Sequence, residues 1–149
     1  MSAAAPPVTV PKLAGVQKGP KRTTRFSSDL CSLIPAAKHG LTSDFEGLLR
    51  RKDVNIEEVD DEGRTALMWA SNGGHTDVMK MILNARADVE VRNDAGATAL
   101  MVAVSRGQLA AVRMLLEAKA HVNGRNSENK FTPLLYAAYD PNFHAFVVE

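Results

Sequence analysis

Side chains that could carry catalysis or hold a metal are few in this 149-residue chain. A metal site needs several His, Cys, Asp or Glu ligands at characteristic spacing, and nucleophilic catalysis needs an activated Ser or Cys beside a positioned base. The single cysteine, Cys31, has no catalytic signature around it, and the four histidines show no ligand spacing. We therefore predict a protein that is not an enzyme and that has no metal or cofactor. Cys31 is expected to pack as a small apolar side chain.

Two other motifs with chemical potential have simpler interpretations. Gly73-Gly74 follows a predicted helix and lacks the Lys-Ser/Thr of a phosphate-binding loop. The carboxylates Asp60, Asp61 and Glu62 lie in a predicted turn, and their crowding indicates a solvated hairpin tip.

Charge divides the chain into two parts. Residues 1–28 hold five of the 18 basic residues and none of the 17 acidic ones, so the rest of the chain has a net charge of −4. An acidic body is a poor polyanion binder, so no nucleic-acid partner is expected. No apolar run approaches the ~18 residues that span a bilayer, which predicts a soluble protein without membrane insertion. The single cysteine favours a reducing compartment, so we expect the cytoplasm.

The first 28 residues form a compositional segment of their own. They contain four prolines and no sustained apolar period, which predicts a disordered basic arm. Lys18-Gly-Pro-Lys-Arg22 leaves open a nuclear import signal, an anionic-surface contact, an organelle-targeting segment or a solvated tail.

Internal repetition at a period of 33 residues indicates the helices and turns of the remaining chain. The shift superposes glycines, threonines and apolar residues without a gap: Gly63 on Gly96, Thr65 on Thr98, Leu67 on Leu100, Gly74 on Gly107, Met81 on Met114 and Leu83 on Leu116. Each unit begins with a short helix, predicted for 65–71, that ends at a glycine turn. A second helix follows, predicted for 76–83, and then a polar link. Neither helix buries its apolar face alone, so neighbouring units must stack.

These motifs resemble the ankyrin-repeat family. The stretches that carry the resemblance are Gly63-Arg-Thr-Ala-Leu-Met-Trp-Ala70 with Gly74-His75, Gly96-Ala-Thr-Ala-Leu-Met-Val-Ala103, and Thr132-Pro133-Leu134. The resemblance implies an all-α helix-turn-helix solenoid with short hairpin-like links over residues 29–149. Its approximate repeats are 29–57, 60–91, 93–124 and 126–149, the first degenerate and the last truncated. The last unit contains a one-residue insertion near Asn129-Lys130. At the Gly-His position of the family motif, the resemblance implies that His75 caps the next helix and bonds the adjoining loop.

Departures from the family pattern give further expectations. Arg86 and Lys119 replace a family glycine at the end of the second helix, where a left-handed backbone disfavours other residues by about 1 kcal/mol. In the first unit, Ser32 is expected to cap one helix, and Ser43 with Glu46 to form a capping box for the next. The shortened last unit predicts that Val112, Leu115 and Leu116 are partly exposed and that the chain self-associates through this end.

Ankyrin-like repeats imply a scaffold or module that binds another protein through the repeat tips and the first helices. The alternative is a regulatory fragment of a larger multidomain protein or enzyme. Carried over by position, the contact candidates are Asp61, Glu62, Arg64, Asn72 and Gly73 in the second unit and Asp94, Ala95, Ala97, Ser105 and Arg106 in the third. The fourth unit adds Ser127, Glu128, Lys130, Tyr139 and Asp140.

Overall fold

A computed structural model describes residues 32–139 of the chain. These residues form seven α-helices: α1 (Leu33–His39), α2 (Thr42–Leu49), α3 (Ala66–Gly73), α4 (Thr76–Asn84), α5 (Ala99–Ser105), α6 (Leu109–Glu117) and α7 (Pro133–Tyr139). One isolated antiparallel bridge joins Val59 to Thr65 in a link between repeats. The all-α prediction is confirmed. The predicted disordered arm and Cys31 lie outside the described residues.

Hydroxyl side chains start the first helix of the first three units. Thr65 Oγ1 accepts a hydrogen bond from the Met68 amide at 3.2 Å, and Thr98 Oγ1 accepts one from Met101 at 3.5 Å. Ser32 caps α1 as predicted, since its hydroxyl accepts from the Ile34 amide at 3.3 Å. These bonds satisfy amides that have no partner within the helix. The threonines of the repeat motif therefore fix where each inner helix begins.

The second helices begin differently. The predicted capping box of Ser43 and Glu46 is wrong, because α2 already begins at Thr42 and its N-cap residue, Leu41, makes no side-chain cap bond. The N-cap residues of α4 and α6, His75 and Gln108, make no side-chain cap bond either. Their side chains reach the preceding repeat instead, as described below.

Arg86 and Lys119, which occupy positions where the family has glycine, adopt the predicted left-handed backbone, with φ of 60° and 64°. Lys130, in the insertion of the last unit, has φ of 59° and was not predicted. Side chains at such φ values strain the backbone by bringing Cβ close to the carbonyl oxygen.

Stacking arranges the helices in two layers. In the inner layer α1 packs on α3, α3 on α5 and α5 on α7, while α2, α4 and α6 form the outer layer. Leucines at repeat-equivalent positions lie in the core, with Leu67 and Leu100 each 2% exposed. Leu115 is fully buried, so its predicted exposure is wrong, whereas Leu116 is exposed as expected. The reason is that Leu115 points back onto the core of its own stack.

Candidate partner-binding surface

Three turns between repeats line up along one edge of the stack. We call residues 60–64, 93–97 and 126–131 the tip row. The Asp94 amide donates to the Glu62 carbonyl at 3.0 Å, and the Ser127 amide donates to Ala95 at 3.0 Å. A Cβ on Gly63, whose φ is +73°, would lie 2.8 Å from Asp94 Oδ1. Close packing and backbone bonds therefore join the tips into one rigid row.

Each tip is closed by an Asp or Asn at its first position. Asp60 Oδ1 accepts from the Arg64 amide at 2.9 Å, and Asn93 Oδ1 accepts from the Ala97 amide at 2.8 Å. Asn126 Oδ1 accepts from the Phe131 amide at 2.9 Å, one residue further along because of the insertion. Such side-chain bonds to the backbone stabilise turns. The same device thus holds all three tips despite their different lengths.

The first tip also holds an aromatic side chain of α3. Asp60 Oδ2 accepts from Trp69 Nε1 at 2.9 Å and from Arg64 Nε at 2.9 Å. The Arg64 guanidinium carbon lies 4.1 Å from the Trp69 ring centroid, and Lys38 Nζ lies 4.6 Å from it. Both distances are within the range of cation–π attraction. Trp69 is therefore fixed in position, and we call this cluster of Lys38, Asp60, Arg64 and Trp69 the tryptophan platform.

Asp60 differs from the solvated tip residue that the sequence suggested. Its side chain is only 19% exposed, so the prediction was wrong for this member of the acidic group, while Asp61 and Glu62 are exposed. Burial by itself would raise the pKa of Asp60, but hydrogen bonds from Arg64, Trp69 and the Glu62 amide outweigh it and lower the pKa below its ordinary value. Asp60 is therefore ionised at neutral pH, and its carboxylate accepts the hydrogen bonds that fix Arg64 and Trp69.

An equivalent arrangement recurs in the last described unit. Tyr136 occupies the position of Trp69, and Asn126, which takes the place of Asp60, donates from Nδ2 to the Tyr136 hydroxyl at 2.8 Å. The Phe131 ring lies 5.6 Å from that of Tyr136 and 5.9 Å from that of Tyr139, both edge to face. The middle unit has Val102 at the position of Trp69 and Tyr136.

The opposite ends of the inner helices are also joined between repeats. Arg106 Nε donates to Asn72 Oδ1 at 2.8 Å, and Gln108 Nε2 donates to the Asn72 carbonyl at 3.5 Å. His75 Nε2 lies 3.2 Å from the Lys38 carbonyl. The prediction that His75 bonds a loop is confirmed, but its predicted capping bond is absent.

The structure places the predicted contact residues along these two edges. Asp61, Glu62, Gly73, Asp94 and Arg106 are exposed, whereas Arg64, Asn72, Ala95 and Ser105 are half-buried. Ala97 is 9% exposed and offers little side-chain surface. In the fourth unit Ser127, Glu128, Lys130 and Tyr139 are exposed, and Asp140 lies outside the described residues.

Sequence reasoning missed the members of the surface that lie between the edges. Lys38, Trp69 and Tyr136 were not among the predicted contacts. A signal was available, because Trp69 and Tyr136 share a position once the 33-residue period is extended by the one-residue insertion. The contact of Lys38 with Trp69 carried no such signal, since it depends on the packing of α1 against α3.

Within residues 32–139 we find no group of three or more His, Cys, Asp or Glu side chains arranged to hold a metal ion. No helix of this part of the chain is long and apolar enough to cross a membrane.

Comparisons with known proteins agree with the fold. Residues 33–126 match the family model of ankyrin repeats in three copies. Osteoclast-stimulating factor 1 of Monopterus albus is 45% identical over 49 residues, a segment that covers 33% of this chain and 22% of that protein. The chain therefore matches only about a fifth of this relative. Ankyrin repeats are generally non-enzymatic modules of protein–protein interaction. The stacked helix pairs, and a family match that covers more than half of the chain, show that the chain belongs to the ankyrin-repeat family.

Proposed function

We propose that this protein is a non-enzymatic scaffold that binds another protein through its tip row and inner helices. The observation that carries the proposal is the tryptophan platform, which lies where the first tip meets α3. Tryptophan, tyrosine and arginine contribute most to binding energy at protein interfaces when they are well packed and partly desolvated. Trp69 and Arg64 are both half-buried and hydrogen-bonded to the same carboxylate.

Preorganisation of the platform supports this role. Immobilising a side chain on binding costs about 0.5–1.5 kcal/mol. Trp69 is already held by Asp60, Lys38 and Arg64, so a partner would not have to order it. The tip row is likewise joined by backbone hydrogen bonds. A partner would therefore meet a surface of fixed shape.

The proposal is tested by affinity capture with the full chain as bait, followed by mass spectrometry. Trp69→Ala removes the aromatic ring, and Glu62→Lys reverses an exposed charge of the first tip. Lys80→Ala, on the outer helix α4, is the matched control, because its side chain is 64% exposed and its salt bridge to Asp77 lies within the same helix. Partners retained by Lys80→Ala and lost from both other variants would support the proposal.

The opposite pattern would contradict it. Partners that survive both Trp69→Ala and Glu62→Lys but are lost on substitutions in the outer helices would place the interface on the other layer. Circular dichroism of each purified variant checks that its helix content is unchanged. Glu62→Lys is included because its exposed side chain can change without disturbing the core.

We further propose that the chain self-associates weakly through its last described unit. Leu134, Leu135 and Tyr139 are exposed on α7, and Leu116 is exposed on α6. Large apolar side chains exposed in this way favour association. Sedimentation velocity should show mass rising with concentration, and Leu134→Lys should keep the chain monomeric. A wild-type chain that stays monomeric at all concentrations would contradict this proposal.

Location is a separate proposal. We propose that the protein resides in the cytoplasm. The five cations of the basic arm and its lack of acidic residues support one alternative, in which the arm directs the protein to the nucleus or to an organelle. Fusion of residues 1–28 to a fluorescent reporter tests this. Nuclear or organellar signal would support targeting, and a diffuse signal identical to that of the reporter alone would identify the arm as a solvated tail.

A further inference from the structure

Between the tip row and the opposite ends of the inner helices lies a surface that we call the inner groove. Its floor carries Trp69, Val102 and Tyr136, which occupy the same position in α3, α5 and α7 and are all half-buried. These helices have seven or eight residues, and such helices are about 10–12 Å long. An α-helix with its side chains is about 10–12 Å in diameter. The floor is therefore as wide as one helix.

The two rims of the inner groove differ in charge. The tip row holds five carboxylates against two cations, with Asp61, Glu62, Asp94 and Glu128 exposed. The opposite rim consists of the ends of α1, α3 and α5 and the turns that follow them, at 38–40, 72–74 and 105–107. This rim contains Lys38, His39 and Arg106 and no carboxylate, and the Lys38 side chain reaches from the rim over the Trp69 ring of the floor. The groove thus has an acidic rim, a rim of basic residues, and a floor of aromatic and apolar side chains that Lys38 and Arg64 contact at Trp69.

We propose that the inner groove binds an amphipathic α-helix of a partner, with basic residues toward the tip row and acidic residues toward Lys38 and Arg106. This inference rests on the proposed function and names the kind of partner. Opposite charges on the two rims favour a ligand whose own flanks carry opposite charges. A helix provides such flanks on either side of one apolar stripe.

Spacing also favours a helix over an extended peptide. Neighbouring packed helices lie about 8–10 Å apart, which sets the step from Trp69 to Val102 and from Val102 to Tyr136. Residues i and i+7 of a helix lie on nearly the same face and about 10.5 Å apart. Three residues of an extended strand span about 10 Å, but an odd step points the side chain to the opposite face. Apolar residues at i, i+7 and i+14 of a helix therefore match the three floor positions.

Two fluorescent peptides of identical composition test the inference against the full chain by anisotropy. Both carry leucines at i, i+7 and i+14 in a helix-forming background. In the segregated peptide all lysines lie on one flank and all glutamates on the other, whereas the isomer mixes them on both flanks. The segregated peptide should bind at least about tenfold more tightly, and high salt should narrow the difference because both rims are exposed.

Charge reversal on the protein provides the matched control. Lys38→Glu combined with Arg106→Glu makes both rims acidic and should abolish the preference for the segregated peptide. Arg106→Glu alone, which leaves the contact of Lys38 with Trp69 in place, should reduce that preference. Arg50→Glu combined with Lys80→Glu changes charge equally on the outer helices and should leave the preference intact. Circular dichroism of both double variants checks that the body is folded.

Equal affinity of the two peptides for the wild-type chain, or no binding of either, would overturn the inference. That failure is distinguishable from failure of the proposed function. If captured partners depend on Trp69 while neither peptide binds, the surface binds partners of another shape and only the helix inference is wrong. If partners depend on the outer helices instead, the proposed function itself is wrong.

Discussion

Truncation of the leucine at one repeat position should lower the free energy of unfolding strongly in two units and very little in a third. Leu67 and Leu100 are each 2% exposed, whereas Leu134, at the equivalent position of α7, is 76% exposed. Leu→Ala removes the equivalent of about three methylene groups, worth about 2.4 kcal/mol at about 0.8 kcal/mol each, and leaves a cavity that adds to the loss. We expect Leu67→Ala and Leu100→Ala each to lower the free energy of unfolding by about 2–5 kcal/mol.

Leu134→Ala is the matched control, because it makes the same chemical change at a position where little apolar surface is buried. Leu134→Ala should change the free energy of unfolding by no more than about 0.5 kcal/mol, as other surface substitutions do. Urea unfolding followed by far-ultraviolet circular dichroism measures all three. A large loss at Leu134, or a silent change at either buried leucine, would refute the assignment of these leucines to one repeat position with different neighbours.

Three further predictions concern the backbone, pH and the arm. Arg86→Gly and Lys119→Gly should each raise the free energy of unfolding by up to about 1 kcal/mol, roughly additively, because both residues have left-handed φ. Arg113→Gly, inside α6, should instead lower it by about 1 kcal/mol, and equal effects of all three in denaturant titrations would contradict this. Since the pKa of Asp60 is lowered on folding, its contribution to stability is present above the unfolded value of about 3.9 and is lost as pH falls through the lower folded pKa. In thermal unfolding at decreasing pH, Asp60→Asn should therefore lose less stability than the wild-type chain. An equal loss of stability in both would contradict this prediction. Trypsin should cut the arm at Lys18, Lys21, Arg22 or Arg25 before it cuts the body, and equal protection of both, seen by mass spectrometry, would contradict a disordered arm.

Repetition made the scaffold predictable from sequence. Thr65 and Thr98 recur at a fixed spacing and cap their helices through bonds that span only three residues. The left-handed backbone at Arg86 and Lys119 was predictable for the same reason, because each replaces glycine at the end of a helix. Features of this kind depend on neighbours within one unit, so a local pattern suffices to find them.

Predictions failed where a residue had competing local and distant partners. His75 was expected to cap its own helix, but its ring contacts Lys38 in the preceding repeat. Asp60 looked like one of three solvated carboxylates, but the folded chain buries it against Trp69. Spacing along the chain does not rank such alternatives, because His75 meets Lys38 only after the repeats stack and Asp60 meets Trp69 only after the tip folds onto α3.

The sequence by itself determined the repeat register, the helix pairs and the residues at the tips, since these follow from the 33-residue period and from hydrogen bonds within each unit. Only the tertiary structure decided that Lys38 lies over Trp69 and that Leu67 is buried while Leu134 is exposed. Equivalent positions carry the same residue but have different neighbours along the stack. Burial and cross-repeat contact are properties of that neighbourhood, so one sequence motif gives a core leucine in one unit and a surface leucine in another.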